Sequence, residues 1–385
     1  MSSDAQLGEV LEWLWSAPRL PGVEAKARLV LLDTLGCAIA GSSHPKVSVL
    51  GKTSPAGFAA AACWDEACEG LARAHGRPGV AVIAALQALA RERGATFGEV
   101  LDALIAGYEA GGRLGEALRI GPGMHVDATW PALGVAVACV RLLKGSFHNA
   151  LDAARIAGCQ IPRSLYLPVK SGADARNTYL GHAAQLGILS AQAALAGFTA
   201  PEGVLEELGA KPLAPPGQWV ILEGYLKQFA AVRHVHYGVA AGLSLKNQVQ
   251  IERVKGINLR IYGEAITYCA NRAPRTAIQA QFSLSYGVAH ALLFGSLDPD
   301  AYREERLRDE RLAALERKVI IEEDAAFTAA NKRAARVSID GREATVESLP
   351  ALSREEVLAK FARYAGRDGA ALLDADPAAR FSIPL

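Results

Sequence analysis

The stretch DATWPALGVAVACVRLLKG (residues 127–145) decides how the rest of the chain is read. Its apolar residues neither alternate nor keep to one stripe. They run nearly all round a helix, and such a helix needs neighbours on every side. The segment therefore predicts the centre of a thick helical bundle, with Thr129 as N-cap and Pro131 in the first turn. Its surroundings carry the same 3.6-residue period. VEAKARLVLLDTLGCAIAG (23–41), GVAVIAALQALARERG (79–94), TFGEVLDALIAGYEAGGRLGEAL (96–118), NALDAARIAGC (149–159) and YLGHAAQLGILSAQAALAGF (179–198) read as further helices between glycines and prolines. Thr96 and Glu99 are spaced as a capping box.

The pattern changes after KPLAPPGQW (211–219), a proline-rich break. In VKGINLRIYG (254–263), Ile257, Leu259 and Ile261 alternate as in a half-buried strand. TAIQAQFSLSYGVAHALLFG (276–295) returns to helix. ARVSIDGREATVESL (335–349) places two β-like runs around Asp340-Gly341, a strong hairpin signal. Ser353 and Glu356 then cap a last helix. At 385 residues the chain exceeds one ordinary core. The expected fold is mainly α: a large all-helical domain (1–221 plus 351–385) with a smaller inserted α/β (α+β) lid domain (222–350).

Composition narrows the function. A net charge of +1 offers no footprint for nucleic acid or an anionic membrane surface. The six cysteines lie mostly in apolar helical patterns without a C-x-x-C pair, so they read as reduced thiols. The N-terminus lacks the basic region of a signal peptide, and no apolar run reaches spanning length. A cytoplasmic protein is expected. GYEAGGRLG misses the dinucleotide and P-loop spacings, so no nucleotide cofactor is called. His234 and His236, two apart, would point in different directions on a helix and have no carboxylate or cysteine at ligand spacing, so no metal is called. His182 and His290 read as helix histidines satisfied by neighbours, and His44 and His148 as exposed turn residues.

Four loop-to-helix junctions concentrate cations and imidazoles: Arg73, His75 and Arg77; His125; Arg176; and Lys227, Arg233, His234 and His236. Helix N-termini favour anions, and arginine grips carboxylates bidentately. Converging junctions would form a pocket for a carboxylate-rich molecule.

These junctions are also where the chain resembles the MmgE/PrpD family of 2-methylcitrate dehydratase, cis-aconitate decarboxylase and iminodisuccinate epimerase relatives. LLDTLGCAIAG, RPGVAVIAALQAL, LIAGYEAGGRLGEAL, MHVDATWPALGVAVACVRLLKG, LKQFAAVRHVH and AQFSLSYGVAHALLFG follow in family order. The resemblance implies a helical domain with a smaller α/β lid, a homodimer, no metal or cofactor, and a small carboxylic acid as substrate. It places His125 before the central helix. Lys227, Arg233 and His236 fall in the motif that opens the lid, His75 and Arg77 in the HPG region, and Tyr268 in an active-site loop. The family's acidic segment is here WDEACEG, so Asp65, Glu66 and Glu69 are loose equivalents. Arg176 stands where the family has lysine, and Val232 where the decarboxylases have histidine.

The implied chemistry is a proton removed next to a carboxylate, which needs a base near neutral pKa and cations around the anion formed. His125 is expected as base. Arg77, Arg176, Arg233, Lys227 and Tyr268 are expected to hold substrate, and His75 or His236 to supply the second proton. A dehydratase-type lyase is the leading expectation. An epimerase of a dicarboxylate such as iminodisuccinate, and a non-catalytic carboxylate-binding protein, stand as alternatives.

Overall fold

The computed structural model describes residues 1–383. Helices α1 (Ser3–Ser16), α2 (Pro21–Gly41), α3 (Pro55–Cys63), α4 (Pro78–Arg93), α5 (Phe97–Ala117), α6 (Pro131–Leu142), α7 (Phe147–Gly158) and α8 (Tyr179–Leu195) build the first part. Helix α6 is the central one: it packs against α4, α5, α7 and α8, and every residue but Arg141 is buried. Its crossing with α5 is glycine-on-glycine. A Cβ at Gly134 would lie 2.8 Å from the Gly107 carbonyl oxygen and 2.9 Å from the Gly111 Cα.

Helix α6 begins at Pro131, and its cap position is Trp130 rather than Thr129. Thr129 spends its hydroxyl on the Val126 carbonyl at 2.6 Å, closing a turn inside the preceding loop. The Thr96–Glu99 capping box on α5 is present.

The second part holds a four-stranded sheet of order β2-β1-β3-β4, made of β1 (Ile257–Ile261), β2 (Val319–Glu323), β3 (Ala335–Ile339) and β4 (Arg342–Val346). Strand β1 runs parallel to β2 with Ile257 opposite Val319, and antiparallel to β3 with Ile257 opposite Ile339. Asp340 and Gly341 both take positive φ (48° and 79°), the backbone that a two-residue hairpin turn demands. The helices here are α9 (Arg233–Leu245), α10 (Gly263–Cys269), α11 (Leu284–Phe294) and α12 (Glu310–Arg317). Helix α9 lies against α11 and against β3 and β4.

The helix expected over 276–295 is two helices, Ala277–Gln281 and α11. Ser283 separates them, accepting from the Tyr286 N–H and donating to the Asn271 carbonyl at 2.6 Å. Helix α13 (Arg354–Ala365), with the Ser353–Glu356 capping box, packs against α2 and so returns the chain to the helical part. Cys37, Cys63, Cys68, Cys139 and Cys269 are buried, whereas Cys159 is exposed. Among the described residues no helix is long and apolar enough to cross a membrane.

Candidate active site

A cavity of about 280 Å³ lies where the loop between α3 and α4, the approach to α6, the turn at Asp174–Thr178 and the start of α9 meet. Arg77, His75, His125, Arg176, Lys227, Arg233 and Tyr268 all line it; His236 does not. In their company are Glu66, Asp127, Arg119, Tyr166, Tyr225, His234, Glu264 and Arg333. Six cationic side chains thus face three carboxylates.

Glu66 is the hub of the inner wall. Its carboxylate meets Arg176, Arg77 Nη1 at 3.0 Å and Lys227 Nζ at 2.5 Å. The loop reaches this position by placing Glu66 in left-handed backbone at φ 54°. Burial alone would raise the Glu66 pKa; Arg176, Arg77 and Lys227 reverse that and hold it well below the usual carboxylate range. Arg77 also pairs with Asp127. Arg176 donates further to the Cys63 carbonyl at 3.2 Å and to Asn177 at 2.8 Å. The inner cations are therefore largely committed to the protein itself.

The outer cations are not. Arg233 lies over the Tyr225 ring at 4.3 Å and makes no hydrogen bond or ion pair with any described residue. Among the described residues Arg119 hydrogen-bonds only to His75, and Arg333 pairs only with Glu264, at 3.4 Å. No side chain caps the first turn of α9, although the Val235 N–H there bonds to the Val232 carbonyl at 2.9 Å.

The four imidazoles divide by surroundings. His125 Nδ1 accepts the Asp127 backbone N–H at 3.2 Å. The neutral ring then carries its proton on Nε2, which makes no hydrogen bond with any described residue, and the ring lines the cavity. Burial drives the His125 pKa down to about 4, so this neutral form persists at pH 7. In this tautomer the His125 nitrogen left for a ligand is a donor, which favours a part as N–H donor over the expected part as base. His75, also at φ 54°, presents Nε2 to Arg119. His236 is fully buried, with Nε2 3.1 Å from the Ala231 carbonyl and its ring on Phe229. It therefore sits in the core while its neighbour His234 takes the cavity face. His234 Nδ1 lies 2.6 Å from the Tyr262 hydroxyl, and its ring stacks on Tyr268 at 5.9 Å.

Sequence reading left Glu66 without a role and gave none to Asp127, Glu264 or Arg333. The WDEACEG segment was the available signal for Glu66. Residues 58–210 match the family model for the MmgE/PrpD N-terminal domain, and residues 229–371 match that for the MmgE/PrpD C-terminal domain. No curated protein matches the chain.

Proposed function

The chain belongs to the MmgE/PrpD family, generally one of dehydratases and lyases, and on that premise we propose that it deprotonates a small di- or tricarboxylic acid. The proton leaves the carbon next to a carboxylate, and loss of a neighbouring hydroxyl as water completes a dehydration. The observation that carries this reading is the unpaired Arg233 guanidinium in a cavity with twice as many cations as carboxylates.

A substrate carboxylate fits the Arg233 fork as a bidentate partner, with the first turn of α9 behind it. Tyr225 under the guanidinium fixes its plane. A second carboxylate finds Arg119 and Arg333 across the cavity. Arg77, Arg176 and Lys227, held by Glu66 and Asp127, contribute a positive field more than a grip. That field favours the extra negative charge formed when the proton leaves. His125 adds a neutral N–H donor to the enolate oxygen, and a neutral donor with a lowered pKa does not protonate the carbanion before it reacts. Tyr268 closes the side of the cavity against Tyr166, its ring 5.4 Å away.

The test pairs binding with exchange. Citrate, methylcitrate, aconitate and malate are screened by thermal shift, with acetate as a one-carboxylate control, and proton exchange is followed in D2O by NMR. At least one polycarboxylate is expected to raise Tm and to exchange, with acetate doing neither. Arg233→Ala is expected to weaken binding about 10- to 100-fold, the size of a lost charged hydrogen-bonded pair. No Tm shift and no exchange with any polycarboxylate of the panel sinks the reading. Exchange with inversion of the carbon and without water loss turns it toward an epimerase.

A further inference from the structure

If His125 donates, another group must accept the proton. We propose that His234 is the proton acceptor of this cavity, acting through Nε2 while its Nδ1–H is held by the Tyr262 hydroxyl. This rests on the functional reading above, and it is reached from the partners of every other candidate.

Glu66 and Asp127 are tied to Arg77, Arg176 and Lys227. Glu264 is paired with Arg333, and His75 Nε2 is turned to Arg119. His125 Nδ1 is taken by a backbone N–H, and His236 is sealed in the core. His234 alone combines a cavity-facing ring with a second nitrogen that meets a hydroxyl. A hydroxyl can accept as well as donate, so the tautomer is not fixed as it is at His125. After burial, the strongest influence on the ring is Glu264, opposed by Arg333 and Lys227, and all three line the cavity. With Tyr262 accepting from Nδ1, the lone pair on Nε2 is the one left for a ligand.

Burial holds the His234 pKa at about 4, too low for an efficient base. A bound dicarboxylate places two negative charges by the ring and raises that value toward neutrality. Substrate binding thus switches the base on. His125 and His234 end a row of four rings, with Tyr166 and Tyr268 between them, at centroid spacings of 6.0, 5.4 and 5.9 Å. The aromatic row fixes both imidazoles relative to the substrate.

In the step itself the C–H bond next to the carboxylate breaks, and its proton goes to His234 Nε2. The electron pair enters the enolate, which the His125 N–H and the arginines stabilise. The resulting His234 imidazolium then hands its proton to the departing hydroxyl, giving water and an alkene, or returns it to carbon. One imidazole does both transfers, so exchange keeps the configuration of the carbon.

The full chain is studied with ¹⁵N-labelled histidine. The expected spectrum puts the His234 proton on Nδ1 and shows its pKa rising when the Tm-raising polycarboxylate is added. A proton on Nε2 overturns the assignment. In His234→Gln the exchange rate is expected to fall about 100-fold or more. The ligand-induced Tm shift should survive, which separates lost chemistry from lost folding. Tyr262→Phe, a positioning change, should lower kcat about 10-fold at unchanged KM. Exchange in His234→Gln within about 3-fold of wild type overturns the proposal while leaving the carboxylate reading intact. A wild-type protein that exchanges none of the acids overturns both.

Discussion

Glu66 shows what one side chain does for this site. It gathers Arg77, Arg176 and Lys227, three cations separated by up to 150 positions in sequence, into one wall. Glu66→Gln keeps the shape but leaves those cations with Asp127 as their only carboxylate. Urea unfolding is expected to show a loss of about 3–5 kcal/mol, the range for breaking a buried ion pair from one side. A loss under 1 kcal/mol would mean the cluster is not electrostatically coupled. The cations themselves were legible in the sequence as loop-to-helix junctions. Their common partner was not, because convergence on one carboxylate is a property of three dimensions. The choice between His234 and His236 failed for a similar reason. Two residues apart on α9 they face opposite ways, and only the packing of Phe229 and Ala231 around His236 tells which one is core.

At the level of elements, periodicity and caps read well wherever one residue type dominates the outcome. Helix α6 is apolar all round and is central; β1 alternates and buries Ile257, Leu259 and Ile261. Strand β2 escaped because it lies at the sheet edge, where Ile320 is 57% exposed and no alternation is required. The break at Ser283 escaped because its cause is a long-range bond to the Asn271 carbonyl. The α5–α6 crossing gives a direct test. Gly134→Ala forces a methyl against the Gly107 carbonyl and should cost about 1–3 kcal/mol in thermal unfolding. Gly22→Ala, on an exposed part of α2 with nothing within 4 Å of the new carbon, should be neutral or stabilising by up to about 1 kcal/mol. Equal effects at the two positions would remove close approach as the reason for the glycines.

Across the whole molecule, Glu69 and the two cavity imidazoles pull stability in opposite directions with pH. Burial raises Glu69 to about 8, against an ordinary value near 4.5, while its carboxyl accepts the Gly79 N–H at 2.8 Å. Its contribution is full below pH 4.5 and is lost as pH rises toward 8. His125 and His234, held near 4, act the other way between about 4 and 6.5. Glu69→Gln should therefore gain on wild type by about 1.4 kcal/mol per pH unit between pH 5 and 8, then run level with it. A mutant curve parallel to wild type across that span would place the Glu69 pKa elsewhere. Finally, Gly70 and Tyr225 exchange two backbone hydrogen bonds, of 2.9 and 2.8 Å, directly beneath the cavity. Lys360 adds a strut there, bonding the carbonyls of Ala67 and Lys227 together with Asp33. On the side that meets solvent stand Arg119 and His75, both exposed, with Arg333 half-buried beside them. An incoming acid would meet two guanidinium groups before it reached the inner imidazoles.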